Sequence, residues 1–225
     1  MAYEVVTFQL RDEIALDDSL ESVLKKYILD LIVSESGVQR AYWGTTIENP
    51  RLVKMFVHWD SVQAHYDLQK KDYYMPFVQK LNEITDLSKL TAFHTHVQPH
   101  PADQVLHDET SPVTEIFMAY FPKEYSETSQ QEFGKRIEEF LENCQPGEPV
   151  ITGFAGGWAV EDDLPFPNGG SDQGTAFLGL FGWKSVEDHS EFAKTDVFKE
   201  NAPLISKTDG LIQTEVVHYR GRRFK

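Results

Sequence analysis

Eight histidines are spread over 225 residues, and three of them fall in one short stretch, FHTHVQPHP, as His94, His96 and His100. Imidazole is the side chain whose ordinary pKa, about 6.5, lies nearest neutrality, so such a cluster points to proton transfer or metal binding. In an extended strand His94 and His96 fall on one face, with Phe93, Thr95 and Val97 on the other. Two imidazoles at i and i+2 are short of the three protein ligands a zinc site needs. His100 lies beyond Pro99, where nothing in the pattern fixes it. Cys144 is the only cysteine, so neither a thiolate cluster nor an intrachain disulfide is available. No metal site is expected.

Other chemistries lack their motifs. The chain has no G-x-x-x-x-G-K-[ST] phosphate loop, no G-x-G-x-x-G and no G-x-S-x-G nucleophile elbow. GFAGGW reads as a glycine-bearing strand, and VEDD is not followed by the spacing of a calcium loop. The formal net charge of −15 repels phosphate backbones and anionic lipid, so nucleic acid and membrane surfaces are poor partners. No apolar run reaches the 18 or so residues of a membrane span, and the opening MAYEVVTFQLRDE has no charged region leading into an apolar one. A cytoplasmic protein acting on a small molecule is the expectation.

The elements that hold the histidines come from a repeat. HWDSVQAHYDLQKKDYY, from His58, resembles GWKSVEDHSEFAKTDVF, from Gly182. A constant offset of 124 pairs Trp59 with Trp183, Ser61 with Ser185, Val62 with Val186 and His65 with His189. Without a gap it goes on to pair Lys70 with Lys194, Asp72 with Asp196, Leu87 with Leu211 and His94 with His218. A histidine near the end of the fourth strand thus belongs to the repeated unit, whereas His96 has no counterpart.

The flanks follow the same plan. YEVVTFQL and VTEIFMAYF are β-branched and aromatic runs that read as strands. Each precedes a helix: one from Asp17, Asp18 or Ser19 to Gly37, with Leu20, Val23, Leu24, Tyr27, Ile28 and Leu31 at helical spacing, the other from SETSQQEF to Pro146-Gly147. VQRAYWGTTIE and VITGFAGGWAVE read as second strands, RLVKMFVHW and TAFLGLFGW as third, KLTAFHTHV and IQTEVVHY as fourth. Between the third and fourth, a helix opens at Ser61 and at Ser185, both natural N-caps. The order β-α-β-β-α-β is ferredoxin-like. The expected fold class is α+β, with two tandem ferredoxin-like units over residues 1–97 and 113–225. The polar, proline-rich residues 98–112 read as an exposed linker, and residues 161–174 as an insertion that is either a surface loop or a lid.

The motif W-x-S-V-x-x-H, standing as WDSVQAH and WKSVEDH, resembles the antibiotic-biosynthesis-monooxygenase-like group of the dimeric α/β-barrel superfamily, here in a tandem, fused form. The resemblance implies that the two antiparallel sheets pack into an α/β barrel, so that a monomer acts as a fused pseudo-dimer; a further homodimer stays open. It also implies a substrate pocket in each half, between the sheet and its helices. The superfamily holds cofactor-free monooxygenases, polyketide cyclases and decarboxylases, together with haem-handling enzymes and proteins without known catalysis. The activity implied is histidine-based proton transfer on an aromatic or polyketide-like substrate of secondary metabolism, with no organic cofactor, giving oxygenation, cyclisation, decarboxylation or dehydration. A non-catalytic stress-response or ligand-binding barrel and a haem-binding protein are the alternatives.

Within that frame His94 and His218 are the leading candidates for the catalytic base, followed by His96, with Tyr42 as a phenol partner. His65 and His189 either contact substrate or anchor the start of their helix. His58, replaced by Gly182 in the second half, marks a difference between the halves. Trp43 and Trp158 lie beside glycines and either form a slot for a planar substrate or pack in the core, where Trp59 and Trp183 are expected.

Overall fold

The computed structural model describes residues 1–106, 111–144, 150–167 and 172–225. The expected helix stop at Pro146-Gly147 lies outside them. The chain divides into two compact units: Met1–His96 with Tyr219–Lys225, and Val97–His218.

In the first unit β1 (Ala2–Gln9) leads into a helical segment made of α1 (Leu20–Leu24), a wider π turn (Lys25–Leu29) and α2 (Asp30–Ser34). Then follow β2 (Val38–Thr46), β3 (Leu52–Trp59), α3 (Val62–Gln69), α4 (Tyr74–Leu81) and β4 (Thr91–Thr95). The strands lie in the order β4-β1-β3-β2, which is ferredoxin-like. In the second unit a one-turn helix, α5 (Asp103–Leu106), precedes β5 (Val113–Pro122), α6 (Glu127–Asn143), β6 (Gly153–Trp158), β7 (Leu164–Pro165), β8 (Gln173–Trp183), α7 (Val186–Phe192), α8 (Asp196–Ser206) and β9 (Gln213–Arg223). The order β9-β5-β8-β6 repeats the arrangement of the first unit. Among the described residues no helix is long and apolar enough to cross a membrane.

Two boundaries differ from the sequence expectation. Residues 98–112 are not simply an exposed linker, because Ala102, Val105, Leu106 and Ser111 are buried. Their apolar residues dock on the second unit, where Thr114 Oγ1 donates to the Val105 carbonyl. The last residues, Tyr219–Lys225, belong to the first unit, because β9 runs on past His218 and pairs with β2 from Tyr42↔Arg223 to Thr46↔Tyr219. Gly44 permits that pairing, since a Cβ there would collide with the Arg220 carbonyl. Within the 161–174 insertion, Leu164 and Pro165 pair with Gly174 and Gln173 of β8, and residues 168–171 lie outside the described residues.

The core of the first unit lies between sheet and helices. Val6, Phe8, Trp43, Val53, Met55, Val57 and Trp59 project from the sheet to meet Leu24, Ile28, Ile32 and Leu68. Strand alternation sends the intervening residues, including Tyr3, Tyr42, Phe56 and His58, to the opposite face, where all four are buried.

Candidate functional site

Each half of the site begins at the end of a strand. Trp59 closes β3, and Ser61 caps α3 by accepting a hydrogen bond from the Ala64 N–H at 3.1 Å. His65 follows one turn later, on the same buried face as Leu68. The short connection folds the imidazole back over the indole: the rings stack at 5.2 Å and 20°. The second unit repeats this. Ser185 accepts from the Asp188 N–H at 3.0 Å, and His189 stacks on Trp183 at 4.7 Å and 24°. The motif W-x-S-V-x-x-H is thus a strand end, a cap and the first inward-facing helical residue.

A carboxylate completes the group. Glu4 on β1 faces Val57 across the ladder, so Trp59, two residues on, is its diagonal neighbour on the same face. The Trp59 Nε1–H donates to Glu4 Oε2 at 2.9 Å. Glu115 faces Phe181 in the same register, and Trp183 Nε1–H donates to Glu115 Oε2 at 2.9 Å. His65 Nε2 lies 3.5 Å from Glu4 Oε1, and His189 Nε2 lies 3.5 Å from Glu115 Oε2. Behind each imidazole stands the fourth-strand histidine: Nδ1 of His65 is 2.8 Å from Nε2 of His94, and Nδ1 of His189 is 2.8 Å from Nε2 of His218. Each unit therefore contains a Glu–His–His string with a tryptophan clamped to its carboxyl group.

The string ends at a cavity. In the second unit a space of about 210 Å³ lies between sheet and helices, bordered by Glu115, Trp183 and His189 and otherwise mainly by apolar side chains such as Phe117, Phe140 and Phe198. In the first unit a space of about 210 Å³ is bordered by Glu4 and His65, by apolar residues, and by Gln69 and Tyr74. A dry cavity of about 150 Å³ is enough for benzene, so each holds one or two fused rings.

The apolar lining governs protonation. Burial raises the Glu115 carboxyl to about 7, against the opposing hydrogen bond from Trp183. Burial, and then the neighbouring His218, lowers His189 to about 4. Both groups are pushed toward their neutral forms. In the mildly acidic range their 3.5 Å contact is accordingly not an ion pair, and near neutrality it joins a half-ionised carboxyl to a neutral imidazole.

The sequence candidates separate in space. His65 and His189 border the cavities; His94 and His218 do not, and act on the cavity only through the ring in front of them. His96 lies at the surface, where its Nδ1–H donates to the Met1 carbonyl at 2.9 Å, so it does not join His94. Tyr42 sits on the opposite face of the sheet and is no partner for His94. His58 is on that face too, stacked on Tyr3 at 4.9 Å. Its counterpart is glycine for a packing reason: a Cβ at Gly182 would meet the hydroxyls of Ser111 and Thr152. Trp43 is buried under the Arg222 guanidinium, 5.6 Å from the ring centre. Trp158 packs among Phe121, Phe133 and Phe177, and its Nε1–H donates to the Gln130 carbonyl at 3.3 Å. Neither borders either of these two cavities. Glu4 and Glu115 escaped the sequence reading. Their signal was a lone acid at the same place in two otherwise apolar first strands, YEVV and TEIF.

No family model matches the sequence, and no curated protein matches it significantly. Solved structures do match the fold. A proposed monooxygenase from Lactobacillus acidophilus NCFM aligns at 12% identity over 98% of this chain and 93% of its own, with a TM-score of 0.55. An anthrone oxidase-like protein aligns at 11% identity over 99% and 92%, with a TM-score of 0.58. A proposed chlorite dismutase aligns at 13% identity over 97% and 93%, with a TM-score of 0.54. At these identities the likeness is one of fold. The resemblance read from the two W-x-S-V-x-x-H motifs holds at the level of fold: the chain shares the ferredoxin-like fold of these structures along nearly its whole length.

Proposed function

We propose that the protein is a small-molecule enzyme that removes a proton from an aromatic or polyketide-like substrate of one or two fused rings, beside a carbonyl or at a phenol. The observation that carries this reading is the paired Glu–His edge at the wall of a mainly apolar cavity, built twice from four residues of the same three types. The apolar wall holds the ring, and the Glu–His edge meets the acidic hydrogen.

In the second unit the Glu115 carboxylate is the better matched acceptor, since a base works best with a pKa near the operating pH. Neutral His189 beside it takes or returns that proton through Nε2. His218 acts through Nδ1 of His189, fixing the ring's orientation and tautomer. Glu4, His65 and His94 have the same roles in the first unit. The resulting carbanion or enolate is the common start of oxygenation by dioxygen, aldol-type cyclisation, decarboxylation and dehydration. A base so placed contributes roughly a hundred- to ten-thousand-fold.

A purely structural protein would be expected to fill these spaces, so the cavities count against the non-catalytic alternative. Haem does not fit. A space of about 210 Å³ is below the size of pockets for drug-sized ligands, roughly 300–1,000 Å³, and a porphyrin is larger still. In the first unit both nitrogens of His65 already face protein partners.

The test is hydrogen–deuterium exchange at C1 of 2-tetralone in heavy water, followed by NMR, because it registers proton removal whatever chemistry comes next. Wild type should exchange the position well above the buffer rate, and the double variant Glu4→Gln, Glu115→Gln should fall by at least about a hundredfold. An exchange rate equal to buffer for wild type, or unchanged in the double variant, overturns the reading.

A further inference from the structure

We propose that the two cavities take different ligands: the first selects a ring bearing a hydroxyl or carbonyl group at the end near Gln69 and Tyr74, and the second selects a ring that is apolar at that end. This rests on the reading of the cavities as substrate sites.

The repeat makes the comparison position by position. The offset of 124 that superposes the Glu-contacting histidines also pairs Gln69 with Ala193 and Tyr74 with Phe198. In the first unit these residues continue the polar string. Gln69 Nε2 is 3.3 Å from His65 Nε2, and the Gln69 side chain hydrogen-bonds the Tyr74 phenol. Burial, and then the charge of Glu4, hold that phenol above its ordinary pKa, so it stays a hydrogen-bond donor across the neutral range. The wall of the first cavity therefore offers a phenol donor and an amide that both donates and accepts, one helical turn from His65.

In the second unit Ala193, which does not border the cavity, and Phe198, which does, stand in those places. Phe198 stands edge-on to Phe192 and Phe140, at 5.5 and 6.1 Å, closing that side with aromatic carbon. The cavity's remaining polar lining residues are Ser206 and Thr214. Thr214 precedes His218 by four strand residues, about 13 Å along β9, and Ser206 is the last residue of α8. A hydroxyl reaching the Phe198 side of the second cavity, away from Glu115 and His189, would lose its water partners without replacement, a cost that disfavours it. The same hydroxyl beside Gln69 and Tyr74 is paired.

The experiment uses 1-naphthol and naphthalene, two probes of one shape that differ by a hydroxyl, with affinities measured by NMR titration. Val78 and Ala202 are equivalent lining residues, so Val78→Trp fills the first cavity and Ala202→Trp the second. With the second cavity filled, naphthol should bind about tenfold more tightly than naphthalene, the worth of one neutral hydrogen bond. With the first filled, the preference should vanish or reverse. Tyr74→Phe and Phe198→Tyr change a single oxygen at half-buried positions and keep the test valid if a tryptophan variant fails to fold. They should respectively abolish and create the naphthol preference. Equal discrimination in both cavities overturns the inference and leaves the proton-transfer reading standing. No binding of either probe to wild type overturns both.

Discussion

His189 Nδ1 and His218 Nε2 lie 2.8 Å apart, close enough that one ring must donate to the other. This fixes the other nitrogen of His189. If Nδ1 carries the shared proton, Nε2 presents a lone pair to Glu115; if His218 donates, Nε2 carries a hydrogen toward the carboxylate. On the proposed mechanism His218 is a positioning residue, so its loss should act on turnover rather than on substrate affinity. His218→Ala, combined with Glu4→Gln to silence the first unit, should lower kcat up to about a hundredfold, the cost of a misplaced catalytic group. KM should change little, and His218→Gln, which keeps a hydrogen-bonding group, should recover part of the loss. An equal effect on KM would assign His218 to ligand contact instead.

Glu115 and His189 should impose opposite pH dependences on stability. Glu115 sits at about 7 when folded, above an ordinary 4.5, so its contribution is full below 4.5 and is lost as pH rises through 7. His189 sits at about 4, below an ordinary 6.5, so its neutral form contributes above 6.5 and is lost as pH falls through 4. Each effect amounts to about 3 kcal/mol in the limit, and between 4.5 and 6.5 they nearly cancel in wild type. Glu115→Gln should therefore gain stability relative to wild type from pH 4.5 to 7. His189→Asn should lose it relative to wild type from pH 4 to 6.5. Urea unfolding at half-unit pH steps measures both, and two flat difference curves would remove these groups from the pH response.

Much of this was legible in the sequence because the relevant physics is local. Alternation and helical spacing gave the ferredoxin-like order, and the serines before each short helix do cap it. The repeat located three of the four residues in each cluster: Trp59, His65 and His94, with their partners 124 residues on. Which histidine faces the cavity was not legible. It depends on the helix folding back over the indole, a tertiary contact that ranks His65 in front of His94 and reverses the order of preference read from FHTHV. The glutamates are not legible because β1 and β5 read as apolar runs, and the register that puts each acid diagonal to a tryptophan joins residues 55 and 68 positions apart. The placing of Tyr42 was not legible for a similar reason: it and His94 lie on different strands, and only the pairing shows that they occupy opposite faces.

The indole clamp should tune the carboxyl group. The hydrogen bond from Trp183 Nε1–H lowers Glu115 against the effect of burial. Trp183→Phe keeps most of the apolar volume and deletes the donor. The carboxyl should then titrate above 7, and the rise in exchange rate with pH that reports ionisation of the base should move to higher pH by about one unit, the worth of a hydrogen bond to a charged group. An unshifted profile would mean that the proton is taken by another residue.

The first unit offers the cleaner test of division of labour, because its polar arm can be removed without touching Glu4 or His65. On the proposed reading Tyr74 donates from the cavity wall, while the Glu–His edge accepts the proton; all three residues line the cavity. Tyr74→Phe should weaken capture of hydroxyl-bearing ligands yet leave exchange of 2-tetralone at saturation within about threefold of wild type, because uniform binding affects KM and not kcat. His65→Asn should do the reverse, cutting the saturated rate by at least about a hundredfold with a small change in KM. Measuring both variants in a Glu115→Gln background isolates the first cavity. If Tyr74→Phe instead lowers the saturated rate as far as His65→Asn does, the phenol belongs to the proton path itself, and the string from Glu4 must be extended through His65 and Gln69 to Tyr74.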